Sequence, residues 1–381
     1  MEGWRCLSFE KMMKKDKGTL QTMNDKAQNQ LQTRLFNWLM RKTNNSSVRR
    51  VGELPLAIGT DIGVVRGENQ DRVAILRMQI NNNHSFTVAV LCDGMGGMAE
   101  GSACAAQAVA CFLTACIRNR QISPAERVVL AAQEANRAVH SFYQGRGGAT
   151  LSAMLLDSIG GIVGVNVGDS RIYAYQENKL EQITIDDTMA GHLKDDFHSR
   201  NELLQFVGMG NGLEPHVIEI PASHEMIILT SDGVHFIDKK IMQMVIQAAK
   251  ESALAVRRFI EIAKWCGGRD NASAIAIAPF SNQLSSLNDP GVIQIWDPFG
   301  ELQIILSEAV GIAGIDNKPP WDRKPVVQEE SQKSKQSAKR AKKEKPAKRK
   351  VVAENADEKP EKDHPQLNIY FNGDPGKDSH D

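Results

Sequence analysis

VAILRMQINNNHSFTVAVLCDGMGG, residues 73–97, holds two apolar, β-branched runs, 73–80 and 86–92, on either side of Asn81-Asn82-Asn83. Runs of this length separated by turn-forming residues predict a β-hairpin. The second run stops at Asp93 and is followed by Gly94-Met95-Gly96-Gly97. Two helices come next. The start of the second is written in the sequence, with Ser123 as N-cap, Pro124 at the first helical position and Glu126 completing a capping box. Val128, Ala132, Ala135, Val139 and Phe142 then repeat at helical spacing and predict one buried face. Strands are expected to resume at 149–156, 162–167, 171–175 and 226–230, helices at 239–249 and 252–266, and a closing strand at 272–278. Strands in runs and helices in pairs indicate an α+β fold with antiparallel sheets and helices on the outer faces, not an alternating parallel sheet.

The flanks read differently. Residues 1–50 carry 11 Lys/Arg against 4 Asp/Glu, and Leu31, Leu35, Trp38 and Leu39 recur at the spacing of an amphipathic helix expected to dock on the chain's own core. After Pro279 the globular pattern weakens. Runs at 292–296 and 302–306 flank Asp297-Pro298-Phe299-Gly300, a type I turn signal, so residues 282–322 are expected to add a β-hairpin. Residues 323–350 carry 12 Lys/Arg against 3 Asp/Glu, and 351–381 carry 3 against 8; this composition predicts a disordered tail over 323–381, basic and then acidic. An apolar island, 366–372, offers a candidate docking peptide. Of the 46 basic and 46 acidic residues in the chain, 20 and 31 remain for 51–322, so an acidic middle that suits cations lies between basic arms. The organisation expected is an extension over 1–50, a main domain over 51–281, the hairpin region and the tail.

Six cysteines, Cys6, Cys92, Cys104, Cys111, Cys116 and Cys266, form no Cys-x-x-Cys pair and sit among apolar neighbours, as in a reducing compartment. No secretory signal or spanning run is recognised; 101–117 is the longest apolar stretch, and the expected localisation is cytoplasmic. His140, His192, His198, His216 and His235 show no metal spacing and read as structural or surface residues.

Aspartates at expected strand ends carry the chemistry: Asp71, Asp93, Asp169, Asp232 and Asp270. Hard divalent cations such as Mn2+ or Mg2+ prefer oxygen ligands. Two such ions sharing a carboxylate can lower the pKa of a bridging water for attack on phosphorus, while an arginine steadies the phosphoryl oxygens. A lone Asp-Gly after a strand is usually a turn; it is the ordered combination that has weight.

That combination resembles the metal-dependent protein phosphatase family of the type 2C kind, in its bacterial form. The matching segments are Thr60-Asp61-Ile62-Gly63 with Arg66 through Asp71, then Asp93 through Gly97, Gly148-Ala149-Thr150, and Val167-Gly168-Asp169-Ser170-Arg171. Ile183-Thr184 with Asp186-Asp187, Leu229-Thr230-Ser231-Asp232-Gly233 and Gly268-Arg269-Asp270-Asn271 complete the set. The resemblance spans roughly residues 56–280. It implies a four-layer α-β-β-α sandwich of two antiparallel sheets flanked by helix pairs, and Ser/Thr phosphatase activity by direct attack of a water or hydroxide bridging two divalent cations. By resemblance Asp93 bridges both cations and the Gly94 carbonyl helps hold the second. Asp232 and Asp270 hold the first, Asp71 binds waters of the second, and Arg66 grips the substrate phosphate. Asn271 and Gln70 stand behind the ligands, and Asp169 with Arg171 is a turn with an ion pair.

Three departures qualify it. Gln70 replaces a common glutamate, which predicts a weakened or rearranged second-cation shell. Met95 replaces a histidine that serves as general acid in eukaryotic members. Gly145 stands where many members have the aspartate of a third metal, so a third metal is not expected and low turnover is. The competing expectation, motivated by Gln70 and Gly145, is a phosphatase-like binding module for a phosphoprotein or kinase. A phosphoprotein substrate and a Ser/Thr kinase partner follow from the resemblance. The basic tail is expected either to bind an acidic partner or nucleic acid through charge or to stay solvated.

Overall fold

The computed structural model describes residues 30–52, 54–81, 83–95, 100–189, 191, 202–220, 223–279 and 292–305, and the backbone of 369–371. Gly96, Gly97, His192, His198, Cys6, the tail over 323–365 and most of the segment between Asp187 and Gln205 lie outside the described residues.

Helix α1 covers 30–39. Then come β1 (Ser46–Arg50), β2 (Leu56–Asp61), β3 (Arg72–Asn81), β4 (His84–Cys92), α2 (Gly101–Arg118), α3 (Pro124–Tyr143), β5 (Leu151–Asp157), β6 (Gly161–Val167), β7 (Arg171–Gln176), β8 (Lys179–Gln182), β9 (His216–Glu219) and β10 (Met226–Thr230). A single helical turn α4 (Asp232–His235), α5 (Lys239–Ala249), α6 (Ser252–Trp265), β11 (Ala272–Ile277), the hairpin β12 (Val292–Asp297) and β13 (Gly300–Ile305), and β14 (Ile369–Phe371) complete the order. One sheet runs β1-β2-β11-β10-β7-β8 and the other β14-β13-β12-β3-β4-β5-β6-β9, with every neighbouring pair antiparallel.

Successive strand residues face opposite sides, and each strand divides its apolar residues between two cores. In β3, Val73 and Ile75 enter the core between the sheets, whereas Ala74, Leu76 and Met78 face helices. In β10, Ile227 and Leu229 point inward, and Met226 and Ile228 meet the helices of the other face. The cluster on one outer face joins α1, α2 and α3 to the eight-stranded sheet; that on the opposite face joins α5 and α6 to the six-stranded one. This is the expected four-layer α-β-β-α sandwich.

Several local readings can be compared directly. Leu31, Leu35, Trp38 and Leu39 are buried within the helix-side cluster. Helix α2 is apolar enough to cross a membrane by length and composition, but its residues Gly101–Ile117 are buried in the core. Ser123 caps α3, accepting from the Glu126 N–H and donating to the Glu126 carboxylate at 2.9 Å. Phe142 departs from expectation, since it is 71% exposed at the end of α3. Angular periodicity fixes the side a residue faces, not how far the packed surface extends along the helix axis. The appended hairpin extends the eight-stranded sheet through β12 on β3. Asp297 Oδ1 closes its turn by accepting from Phe299 N (2.9 Å) and Gly300 N (2.7 Å).

Candidate active site

Antiparallel pairing gathers the aspartates at one end of the sandwich. Arg72 of β3 pairs with Cys92 of β4, so Asp71, just before one strand, and Asp93, just after the other, come out side by side. Thr230 of β10 pairs with Ala274 of β11, which brings Asp232 and Asp270 to the same end of the second sheet. Asp169 lies on the connection from β6 to β7, where the chain crosses between sheets.

The result is a crowd of negative charge. Burial pushes the Asp93 carboxyl well above the usual carboxylate range, and Asp71, Asp232, Asp169 and Asp270 push it further. Asp71, 3% exposed, is pushed up to about 6, chiefly by burial, against hydrogen bonds from Ser273 and Ser231. Asp232 is raised by desolvation inside the cleft and then by Asp270, although the residue as a whole is exposed, and its carboxyl is close enough to Asp93 to share a hydrogen bond. Arg66 donates from Nη2 to Asp270 Oδ2 at 2.6 Å, and the Asp93 and Asp232 charges reinforce its own charge.

Small hydroxyl residues fix this arrangement. Thr150 brackets Asp93: its Oγ1 accepts from Asp93 N (3.0 Å), its N–H donates to the Asp93 carbonyl (2.8 Å), and Oγ1 also bonds Ser170 Oγ (2.6 Å). Ser231 Oγ donates to Asp71 Oδ2 (2.8 Å) and accepts from Ser273 N (2.9 Å). Ser273 and Thr60 bond at 2.7 Å, Asn69 Nδ2 donates to Thr60 (2.8 Å), and Asn69 Oδ1 accepts from Asp71 N (3.0 Å). Asn271 braces the loop before β3, donating to the carbonyls of Ile62 (2.9 Å) and Glu68 (3.0 Å) and accepting from Gln70 N (2.7 Å). Gln70 itself packs its amide under Gly101, the first residue of α2. Gly94 is required by space, because a Cβ there would lie 2.3 Å from the Gly101 carbonyl oxygen. Gly233 is tighter, with the Asn271 carbonyl oxygen at 1.9 Å from its Cβ position.

The pairing expected for Asp169 with Arg171 is corrected. Arg171 takes Asp186 instead, with Nη2 at 2.6 Å and Nε at 3.0 Å from both oxygens. Asp169 is pushed up to about 6, by burial and then by Asp232 and Asp186, so its carboxyl feels the cluster. Spacing places 169 and 171 on one turn but does not say which way either side chain leaves it. Neighbouring Asp187 is buried, accepts from Gly168 N (2.8 Å) and bonds His216 (2.8 Å). His235 is half-buried, and its desolvation with the nearby Arg171 charge lowers its pKa and keeps it neutral; His140 bonds the Gly208 carbonyl. Met95 holds Gly148 through its backbone (3.1 Å), with its sulfur packed against the same glycine, and offers no proton. Gly145 follows α3 at φ 74° and brings no carboxylate.

Sequence reading overlooked the hydroxyl residues Thr60, Thr150, Ser170, Ser231 and Ser273 and the amide of Asn69. Their one signal was adjacency to the aspartates in the motifs. As the side chains stand, no three His, Cys, Asp or Glu among the described residues close around a single point in the manner of a formed metal cage. The donors nonetheless fit hard cations: all are oxygens, burial and then mutual repulsion raise the pKa values of Asp71, Asp93 and Asp232, and Asp71 Oδ1 is buried with no hydrogen-bond partner.

No protein-family model matches the chain. The Ser/Thr phosphatase stp of Listeria welshimeri is 26% identical over 240 residues, 57% of this chain and 93% of the relative. The Ser/Thr protein phosphatase PstP of Mycobacterium tuberculosis is 29% identical over 242 residues, 58% of this chain and 44% of PstP. Among solved structures, the PPM Ser-Thr phosphatase MsPP of Mycobacterium smegmatis, in complex with cacodylate, superposes with a TM-score of 0.51 at 26% identity, covering 59% of this chain and 98% of that one. Stp1 of Staphylococcus aureus shares the fold, with a TM-score of 0.51 at 21% identity. Layered sheets, motif order and named relatives agree: this chain is similar in sequence and fold to bacterial Ser/Thr protein phosphatases.

Proposed function

We propose that the chain hydrolyses phosphoserine and phosphothreonine in proteins at the carboxylate cluster, with Asp71, Asp93, Asp232, Asp270 and the Gly94 carbonyl holding two divalent cations, Mn2+ or Mg2+. The observation that carries this reading is the cluster of carboxyls, in which burial and mutual repulsion raise the pKa values of Asp71, Asp93 and Asp232, with Arg66 bonded at its edge through Asp270. When bound, such cations supply Lewis-acid activation of water and neutralise charge developing on the phosphoryl group.

The chain's own residues do the rest. Arg66 spends one nitrogen on Asp270, and its remaining guanidinium donors are available to a phosphate at the mouth of the cleft. Thr150 keeps Asp93 at the end of β4, and Ser231 turns Asp71 so that Oδ2 is bonded and Oδ1 is left free for a cation or its water. Asn271 holds the Arg66 loop in place from behind. Met95 cannot protonate the leaving serine or threonine oxygen, so that proton comes from water or another group. A cytoplasmic setting is supported by Cys92, Cys104, Cys111 and Cys116, all buried as thiols in the apolar core. A Ser/Thr kinase that writes the same phosphates is the natural functional partner, and the basic tail is read as binding an acidic partner or nucleic acid through charge.

The test is phosphate release from a phosphothreonine peptide, with Mn2+ and with chelator, by the natural chain and by Asp93→Asn. Release that needs both metal and Asp93 is expected. Undiminished release by Asp93→Asn removes the site from the chemistry. Silence from folded, metal-saturated protein that still binds the phosphopeptide turns the reading toward a binding module.

A further inference from the structure

The motifs begin at Thr60, yet the loop that carries Arg66 and Asp71 is fastened from outside them. Arg72, the residue after Asp71, donates from Nε to the Leu39 carbonyl (2.9 Å) and from Nη1 to the carbonyls of Asn69 and Asp71 (2.8 Å each). Its Nη2 rests 3.7 Å from Met40 Sδ. Leu39 closes α1, so its carbonyl is one of the last-turn acceptors that a helix cannot satisfy internally. One planar fork therefore joins the end of α1 to the two loop carbonyls on either side of Gln70.

The helix is itself well anchored. Leu35 is fully buried, and Arg41 grips Asp297 with two hydrogen bonds of 2.6 and 2.8 Å while lying 4.3 Å over the Trp38 ring. Asp297 belongs to the turn of the β12–β13 hairpin, and Ser47 donates to Pro298 in the same turn at 2.5 Å. Between α1, this turn and the loop lies a cavity of about 350 Å³ whose wall includes Glu68, Asn69 and Asp71. The loop is thus held by Asn271 on one side and by Arg72 with α1 on the other.

We propose that α1, acting through Arg72, sets the position of Asp71 and Arg66, which makes Arg72 a positioning residue and the N-terminal helix a control element for cation affinity. This rests on the reading of Asp71 as a cation ligand. Lysine at 72 keeps the charge but cannot bond Leu39 and both loop carbonyls together. In calorimetric titration of the full chain with Mn2+, Arg72→Lys is expected to weaken binding about 10-fold, the usual scale for a residue that orients a metal ligand, with a melting temperature close to the natural chain's. Leu35→Ala, which loosens α1, is expected to weaken binding as well, and the double variant to bind no worse than Arg72→Lys alone. Unchanged Mn2+ affinity in Arg72→Lys, or effects that multiply in the double variant, overturns the proposal. Amide hydrogen exchange over residues 66–71 in metal-free protein makes the same comparison without metal or turnover. Faster exchange in both variants supports the coupling even if the chain proves catalytically silent, and exchange unchanged in Arg72→Lys sinks it.

Discussion

Strands β4 and β5 pair along their length, and the pair carries a desolvated carboxylate at each end: Asp93, half-buried, at one and Asp157, buried, at the other. Around Asp157 the protein answers the charge itself. Burial opposes ionisation, but N–H groups of Gly160 (2.9 Å) and Ile159 (3.1 Å) and the ring of His84 (2.9 Å) outweigh it and hold the carboxyl below its ordinary pKa, and Arg127 donates to the same carboxylate at 3.1 Å. Around Asp93 the neighbours are more carboxylates, and among the described residues no Lys or Arg side chain bonds to it. Both sites are products of the same ladder. The difference teaches that burial alone does not mark function. A charge that the fold neutralises is structural; a cluster that the fold leaves un-neutralised calls for cations from outside.

Four measurements would break or sharpen that contrast. The largest effect is expected for Asp93→Asn, with phosphate release falling about a thousandfold or more, the several kcal/mol that cation-assisted charge stabilisation supplies. Metal-free stability of the same variant should hold or rise, because a repelled carboxylate has been removed; a large loss in chelator would mean that Asp93 is structural after all. Asp157→Asn should do the reverse. Leaving Arg127 buried without its partner is expected to cost about 3 kcal/mol in urea denaturation, with phosphate release unchanged wherever the variant is folded.

Third, Mn2+ at a hundred times its dissociation constant should stabilise the chain by about 2.7 kcal/mol at pH 7.5 and by clearly less at pH 5. Asp71 and Asp169, raised to about 6, contribute stability that is present in full below the ordinary carboxylate pKa and lost as pH rises through about 6, until a cation replaces the proton. Asp157 has the opposite slope: its lowered pKa contributes stability above the ordinary value that is lost as pH falls through the folded one. Melting curves of metal-free natural chain, Asp71→Asn and Asp157→Asn at both pH values separate the two. The smallest effect is expected for Ser231→Ala, which should cost about 1 kcal/mol for one hydrogen bond and raise the Asp71 pKa further, read by carboxyl chemical shifts.

Much of the fold was legible because its signals are local. The Ser123 cap, the helical repeat of Val128 through Val139 and the apolar run of β10 each contain their own instruction. Failures came where an instruction needed a partner. Phe142 follows its helix's period but has little packed over it, and Arg171 stands near Asp169 in sequence while its carboxylate partner is Asp186. The short strands β1, β8 and β9 were not anticipated, since four or five residues with mixed burial carry almost no periodicity. At the site the aspartates were visible as motifs, but the hydroxyls of Thr150, Ser231 and Ser273 were not. A serine beside an aspartate has no meaning until strand pairing shows what its oxygen reaches.

The sequence by itself determined the longer strands and helices in their order, the acidic middle, the amphipathic Leu31–Leu39 stripe and the set of carboxylates placed at strand ends. These follow from periodicity, composition and residue chemistry, which are properties of a short stretch of chain. Only the tertiary structure decided that Asp71, Asp93, Asp169 and Asp232 share one electrostatic environment while Asp157 is neutralised. It alone decided that Arg72 reaches back to Leu39 and that the 292–305 hairpin closes a cavity beside the loop before β3. Charge and hydrogen bonding act over a few ångströms of space, and residues separated by scores of positions come that close only when the sheets are assembled.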